Sequence, residues 1–439
     1  MSTYSAPIKT EWNTDILVVG SGSSGATAAI TAGQQGASVT LIERYGFMGG
    51  ISTQVLDTFY GFFTPGSTSF KVVGGVPDQI VAGLMDKGKA LYRPNTYGAG
   101  QGITYDPEVL KIVWEQMALQ AGVRLLYHTF VLDVVRDGDR VTGVIAANKG
   151  GLMQINAKVI IDATGDADLA VAAGVPHESP KTGAEVQSLT TTFQMINVDM
   201  EQAKAVKKDK LHALMQDAID QGYELPRKEG SIHITPFDGV MATNMTRIGN
   251  VNAIDAEDLT KAEIEGRRQA EEYARFLIDM VPGYSDSEMT SLSHQIGVRE
   301  TRRIYGEYRL TKQDVLSARK FDDAIAICGA PIEDHHAGNN TKWEYLPDGE
   351  TYGIPYRCLL PQDVDNLLVI GRCLSAEHDA HASVRSMGQC MAMGQAAGVA
   401  GKLALDGNGS THNLSINSLQ SELRLIGAIL SPEDATVWA

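Results

Sequence analysis

Residues 15–19 form a short apolar run, D-I-L-V-V, with glycine and serine crowded directly behind it. A run of this length closed by glycine predicts a strand buried on both faces of a parallel sheet. The small residues 26–34 predict a helix, and residues 38–42 (S-V-T-L-I) a second strand. Further on, residues 78–87 predict a short helix. Asp106, Pro107 and Glu108 start another with a cap, a proline and an acid in the first turn, and Gly122 stops it. Residues 123–147 read as strands turning at Asp137-Gly138-Asp139, and residues 154–161 as one more. A strand over 190–198, amphipathic helices over 200–222 and 256–281, and a turn over 283–290 follow. Residues 366–370 (N-L-L-V-I) predict a last buried strand, and 384–405 a helix rich in Gly, Ala and Met. Residues 60–75 and 93–102 lack a period and predict loops, the first suited to covering a site.

The junctions between these elements carry the chemistry. Gly20-Ser21-Gly22-Ser23-Ser24-Gly25 is a G-x-G-x-x-G sequence at a strand-to-helix turn. Gly20 permits the tight turn, Gly22 lets the backbone approach a pyrophosphate, and Gly25 lets helix and strand pack closely. Ser23 and Ser24 open the helix, whose free N–H groups and dipole face the phosphates. Glu43, at the tip of the second strand, stands where an acid accepts hydrogen bonds from ribose hydroxyls. The stretch 44–53, R-Y-G-F-M-G-G-I-S-T, places Arg44, Gly49 and Gly50 beside the dinucleotide. Asp162-Ala163-Thr164-Gly165-Asp166 is a second strand tip with a glycine. Gly371-Arg372 is a third, followed by the polar cluster Ser375, Glu377, His378, Asp379, His381, Ser383 and Arg385. That cluster, ahead of the small-residue helix, reads as a second place for an anion or cofactor.

Composition narrows the partners. The chain has 439 residues and a net charge of −16, from 37 Lys plus Arg against 53 Asp plus Glu. At roughly 150 residues per domain, two or three domains are expected. The acidic balance argues against broad nucleic-acid binding. The lysine run Lys204, Lys207, Lys208 and Lys210 reads as a solvated helix face. Cys328, Cys358, Cys373 and Cys390 form no C-x-x-C pair, so no metal, cluster or dithiol centre is expected. The polar first twelve residues lack the pattern of a secretory signal, and no apolar run reaches membrane length, so a cytoplasmic, membrane-free protein is expected.

Together the stretches D-I-L-V-V-G-S-G-S-S-G-A with Glu43, V-I-I-D-A-T-G-D-A-D and N-L-L-V-I-G-R-C-L-S-A-E-H-D-A-H-A-S-V-R resemble the FAD-dependent oxidoreductases of the glutathione-reductase-like group. The nearest branch by motif is that of the fumarate reductase and succinate dehydrogenase flavoproteins. G-V-R-E-T-R-R-I, Y-G-I-P-Y-R and M-G-Q-A-A-G strengthen the match, which spans nearly the whole chain. The resemblance implies an α/β fold: a discontinuous Rossmann-like FAD domain (1–180 and 354–439) interrupted by an α+β substrate domain (181–353). It implies non-covalent FAD, with Val131 at the adenine, Thr164, Gly165 and Asp166 along the dinucleotide, and Gly371 and Arg372 near the ribityl chain. It also places Ser383, Val384 and the polar cluster near the isoalloxazine.

For catalysis, His378 and His381 are spaced to share a helical face and suit proton transfer. Arg299, Arg302, Arg357 and Arg385 suit a carboxylate substrate, and Tyr305 or Tyr356 a hydrogen bond. His335-His336, after Glu333-Asp334, reads as a polar loop with a lid role as its functional alternative. The expected activity is hydride transfer between a small polar, acid-bearing molecule and flavin N5; the electron acceptor is open and a homo-oligomer is compatible with the sequence. Three alternatives stand beside it. A NAD-dependent Rossmann dehydrogenase would lack flavin absorbance, a flavin-binding tRNA-modifying protein would bind tRNA in a salt-dependent way, and a non-catalytic flavin subunit would resist reduction.

Overall fold

The computed structural model describes residues 5–66, 69–93, 100–336, 338 and 340–435. Residues 1–4 of the N-terminal segment, residues 67–68 of the first predicted loop and residues 94–99 of the second lie outside the described residues.

Parallel pairing of three hydrophobic strands sets the frame. Ile8–Val19 pairs in parallel with Val39–Ile42 on one side and with Gly151–Asp162 on the other. Leu367–Val369 adds in parallel to the end of Gly151–Asp162. Arg124–Leu126, Arg140–Asn148 and Phe130–Asp137 complete a seven-stranded mixed sheet. The registers Val19 to Ile42, Val19 to Asp162 and Asp162 to Val369 align four strand ends along one edge. The loops beginning at Gly20, Glu43, Ala163 and Gly371 therefore leave the sheet side by side, at the carboxyl edge where ligands bind in open α/β sheets.

The helix Ser23–Gln34 lies on this sheet, and Met387–Asp406 packs along it. Both are made of small residues, and this permits near-contact of backbones. A Cβ on Gly394 would lie 2.1 Å from the carbonyl oxygen of Ser24, and one on Gly398 2.7 Å from that of Ala28. The apolar strand residues, Val18, Leu41 and Ile161 among them, are fully or almost fully buried beneath and beside this pair.

A second, antiparallel sheet joins Ser231–Ile234, Met241–Asn244, Phe193–Ile196 and Glu288–Leu292. The helices Lys208–Asp220 and Ala256–Met280 cover it, and Met195, Leu211, Met215, Tyr273 and Phe276 form its core. That core draws on residues 193–292, whereas Leu310, Ile327, Tyr352 and Tyr356 pack into the core beneath the first sheet.

Local departures from the sequence pattern have physical reasons. The first strand begins at Ile8, not at residue 15, because its exposed polar half still bonds backbone to backbone with Leu152 to Ala157. The helix expected over 200–222 breaks into Met200–Ala205 and Lys208–Asp220; the break at Val206 lets both Ala203 and Leu211 reach one core. The helix expected over 384–405 spans Met387–Asp406 and is preceded by a separate short helix, His378–Val384, with Arg385 at the junction. The turn expected over 283–290 gives way to strand pairing from Glu288. The segment after Thr58 is only partly a covering loop: Phe59, Phe62, Phe63, Val72 and Val73 fill the core. Among the described residues, no helix is long and apolar enough to cross a membrane.

Because the Ser24 carbonyl leaves no room for a side chain, Gly394→Val is expected to cost about 1–3 kcal/mol by overpacking. Thermal unfolding should show a Tm several degrees lower.

Candidate functional site

The four aligned strand ends open onto one continuous cavity of about 400 Å³. At one end it is lined by Glu43, Arg44, Phe130 and Val131; in the middle by Gly20, Gly22, Ser23, Ser24, Gly50, Thr164, Gly165, Asp166 and Arg372. At the other end stand Tyr60, Arg299, Glu333, His335, Trp343 and Arg385.

The glycine turn has the shape its sequence asks for. Gly20 has φ of +91°, and a Cβ there would strike the carbonyl of Ala163 at 2.4 Å. A Cβ on Gly25 would lie 1.9 Å from the carbonyl oxygen of Gly20. Gly22 is different, since a Cβ on it would meet nothing within 4 Å. That open space faces the cavity, where the helix Ser23–Gln34 begins without a side-chain cap. A cradle with an empty face at Gly22 and an uncapped helix end fits a pyrophosphate. Gly49 donates its N–H to the carbonyl of Ser21 and so clips the following loop onto the turn, but it does not line the cavity.

Glu43 is held by three donors. Its Oε2 accepts from the N–H of Ser21 at 3.0 Å and from Ser21 Oγ at 2.6 Å, and its Oε1 from the N–H of Tyr45 at 3.0 Å. Across the cavity, Asp166 accepts from Arg372 at 2.7 Å and from Thr301 at 2.6 Å. Gly165, with φ of +80°, lies against this guanidinium: a Cβ would stand 3.2 Å from it. Asp162 is buried under the turn and accepts from the N–H and hydroxyl of Thr164 and the N–H of Ala170. Burial raises its carboxyl to about 6, against the pull of those bonds. These residues suit a bound FAD running from Glu43 towards Arg299.

Other sequence candidates sit elsewhere. Gly371 adjoins Ser24 with φ of +81° and serves the turn, while Val384 is wholly buried in the core. Ser383 donates to the carbonyl of Ala330 at 2.5 Å and exchanges a bond with Tyr352 at 2.8 Å; neither it nor Val384 lines the cavity. Tyr305 bonds Glu178 at 3.1 Å and stacks under Arg309, away from the cavity. Arg302 pairs with Asp168 and Arg357 with Asp323, and the Tyr356 hydroxyl donates to the carbonyl of Thr411.

His378 and His381 share a face as their spacing predicts, but that face meets Glu300 and not the cavity. His378 Nδ1 lies 2.9 Å from Glu300 and its Nε2 3.3 Å from Asp334. Burial pulls this imidazole down, yet the two carboxylates outweigh burial and raise it to about 10. His381 Nε2 donates to the carbonyl of Arg372 at 2.8 Å; burial, then Arg303 and Arg385, hold its proton affinity well below the usual range. Within the polar cluster after Arg372, His378 and Asp379 are taken up by ion pairs, Asp379 with Lys312, and Arg385 is the member that lines the cavity.

The segment read from sequence as a polar loop, Glu333 to His336, begins within the strand Ile332–Asp334 and continues past its end. Glu333 and His335, two apart, line the cavity, whereas Asp334 and the half-exposed His336 point the other way and approach each other at 3.9 Å. Four consecutive ionisable residues carry no alternation of polar and apolar positions, so the sequence offered no signal for which two face the cavity.

The glycine geometry yields a sharp contrast with Gly394. Gly22→Val places a side chain in open space, so Tm of the flavin-free protein should hardly change. FAD content after purification and reconstitution, read at the flavin absorbance, should fall by at least about tenfold, the loss of one or two phosphate hydrogen bonds.

Comparison with known proteins identifies the family of the chain. A thiamine thiazole synthase of Pyrobaculum aerophilum is 31% identical over 184 residues, 39% of this chain and 63% of that protein. A digeranylgeranylglycerophospholipid reductase of Methanothrix thermoacetophila is 28% identical over 167 residues, 34% of this chain and 39% of that protein. The chain thus spans about two fifths to two thirds of the length of these relatives. Among solved structures, a geranylgeranyl bacteriochlorophyll reductase-like protein of Thermoplasma acidophilum is 13% identical with a TM-score of 0.48, over 97% of this chain and 95% of that one. The family model described as FAD dependent oxidoreductase matches residues 15–423, and the chain belongs to the FAD-dependent oxidoreductase family.

Proposed function

We propose that this FAD-dependent oxidoreductase transfers hydride between flavin N5 and a small carboxylate-bearing molecule held by Arg299 and Arg385. Bound FAD supplies the two-electron acceptor or donor. One observation carries the substrate half of the reading. Both guanidinium groups line the far end of the cavity, and among the described residues neither has a carboxylate within 4.0 Å.

Their protein partners are neutral. Arg299 donates to the carbonyl of Ser188 at 2.6 Å, and Arg385 to the side-chain carbonyl of Gln187 at 2.7 Å. Burial, then Arg385 and Arg227, hold Arg299 well below the usual arginine range; burial likewise lowers Arg385. Two cations withdrawn from water and repelling each other share one cavity carboxylate, Glu333, beyond 4.0 Å, and stay short of a second negative charge. A substrate carboxylate supplies it, in bidentate geometry where the fork allows. The adjoining segment Gln187-Ser188 fixes both groups from the same side.

Anaerobic mixing of the FAD-loaded protein with hydroxy acids and with their amides tests the reading. Bleaching by acids and none by the amides is expected; equal bleaching by both sinks it. Arg299→Met and Arg385→Met should each weaken acid binding by about 1.5–3 kcal/mol, roughly tenfold to a hundredfold, while FAD stays bound.

A further inference from the structure

Of the carboxylates that line the cavity, Glu333 is the one whose charge acts on both arginines, and its surroundings are organised for proton transfer. Glu333 Oε1 lies 3.0 Å from His335 Nε2. On its far side, His335 Nδ1 lies 3.3 Å from Arg247 Nη2 and 3.3 Å from Thr341 Oγ1. A guanidinium can only donate, so Nδ1 must accept, and the imidazole proton sits on Nε2, directed at Glu333. Arg247 is itself fixed by the carbonyls of Gly338 and Asn340. Glu333 Oε2 has no protein partner among the described residues and belongs to a side chain lining the cavity.

We propose that Glu333 is the residue that takes the substrate's proton, with His335 and Arg247 as positioning residues behind it. The inference rests on the carboxylate-substrate reading. In the oxidation of a hydroxy acid, the C–H electron pair would leave as hydride, for which bound FAD would be the acceptor. The O–H bond breaks, its proton goes to Glu333 Oε2, and the C=O bond forms; reduction runs the reverse.

The charges around Glu333 explain how a carboxylate here becomes basic enough. Arg299, Arg385 and His335 face it, with the hydroxyls of Tyr60 and Tyr345 near by and Arg247 behind His335. Burial raises its proton affinity, but His335, Arg385 and Arg299 more than reverse this and bring it to about 2. His335 is neutral, lowered to about 3 by burial and then by Arg299. An anion docked on Arg299 and Arg385 cancels the field that holds Glu333 low. The proton affinity of Glu333 therefore rises when substrate arrives. By linkage, anion binding tightens as pH falls towards the raised value, since the complex binds more protons than the free enzyme.

The test uses the FAD-loaded full chain and trifluoroacetate, a carboxylate that is not oxidised and stays ionised throughout. Its affinity, read from the flavin absorbance shift, is followed from about pH 4.5 to about pH 7.5. Wild type should bind several-fold tighter at the acid end. Glu333→Gln should bind at least as tightly at neutral pH and lose the pH dependence. With a hydroxy acid that bleaches the wild-type flavin, Glu333→Gln should bleach at least about a hundredfold more slowly, and Glu333→Asp should recover part of the rate.

Superimposed pH profiles for wild type and Glu333→Gln, or bleaching at the wild-type rate, overturn the proposal. Failure of trifluoroacetate to bind either protein removes the anion site and the proposal with it. Binding with the Glu333-dependent profile, but no bleaching by any hydroxy acid, refutes the substrate reading while leaving the proton exchange at Glu333 supported. If Glu333→Gln does not retain FAD, His335→Gln answers the same question: losing the bond to Oε1 should displace the trifluoroacetate pH profile, and an unmoved profile counts against the dyad.

Discussion

The near-contact of the helices Ser23–Gln34 and Met387–Asp406 is the constraint on which the site depends. Backbone meets backbone at Ser24 and Gly394, and again at Ala28 and Gly398. Side chains any larger would separate the two helices, and the middle and the far end of the cavity are built on them. The first helix begins at the glycine turn; the second begins beside Arg385. The distance between the phosphate cradle and the anion-binding arginines is therefore set by glycine and alanine, with little slack because interiors pack at crystal-like density.

Electrostatics then divides the molecule into two regimes. The chain carries −16 overall, yet the far end of the cavity concentrates arginine. Around Glu300 the positive charges are matched: Arg303 at 2.9 Å and His378 at 2.9 Å meet a carboxylate with no solvent access to its side chain. At Arg299 and Arg385 the balance is left open. A cluster completed within the protein stabilises the fold, whereas one left short of negative charge stabilises whatever brings it.

How much of this the sequence reveals depends on how local each feature is. The strand, glycine turn, helix and Glu43 are contiguous, and the parallel sheet follows from apolar runs buried on both faces. The pairing of Arg299 with Arg385 through Gln187 and Ser188 joins segments more than a hundred residues apart, which no spacing rule reports. His378 and His381 show the opposite difficulty. Their spacing gives the right shared face, but a helical face is defined without saying what it meets; burial against Glu300 decides that. Glu333 and His335 were read as part of a polar loop because four consecutive ionisable residues show no apolar alternation; the pairing with Lys342–Glu344 is what separates the two faces.

That separation of faces has a consequence for how the protein can diversify. In the hairpin of Ile332–Asp334 with Lys342–Glu344, Glu333 stands opposite Trp343, and both line the cavity; Asp334 stands opposite Lys342 and turns towards His378. One face of the ribbon anchors it to the buried ion cluster and the other presents chemistry to the ligand. Substitutions on the cavity face leave the backbone ladder and the anchor untouched. Substrate preference can therefore drift over generations on this ribbon while the scaffold stays fixed, an evolvable surface separated from its foundation by the thickness of a single strand.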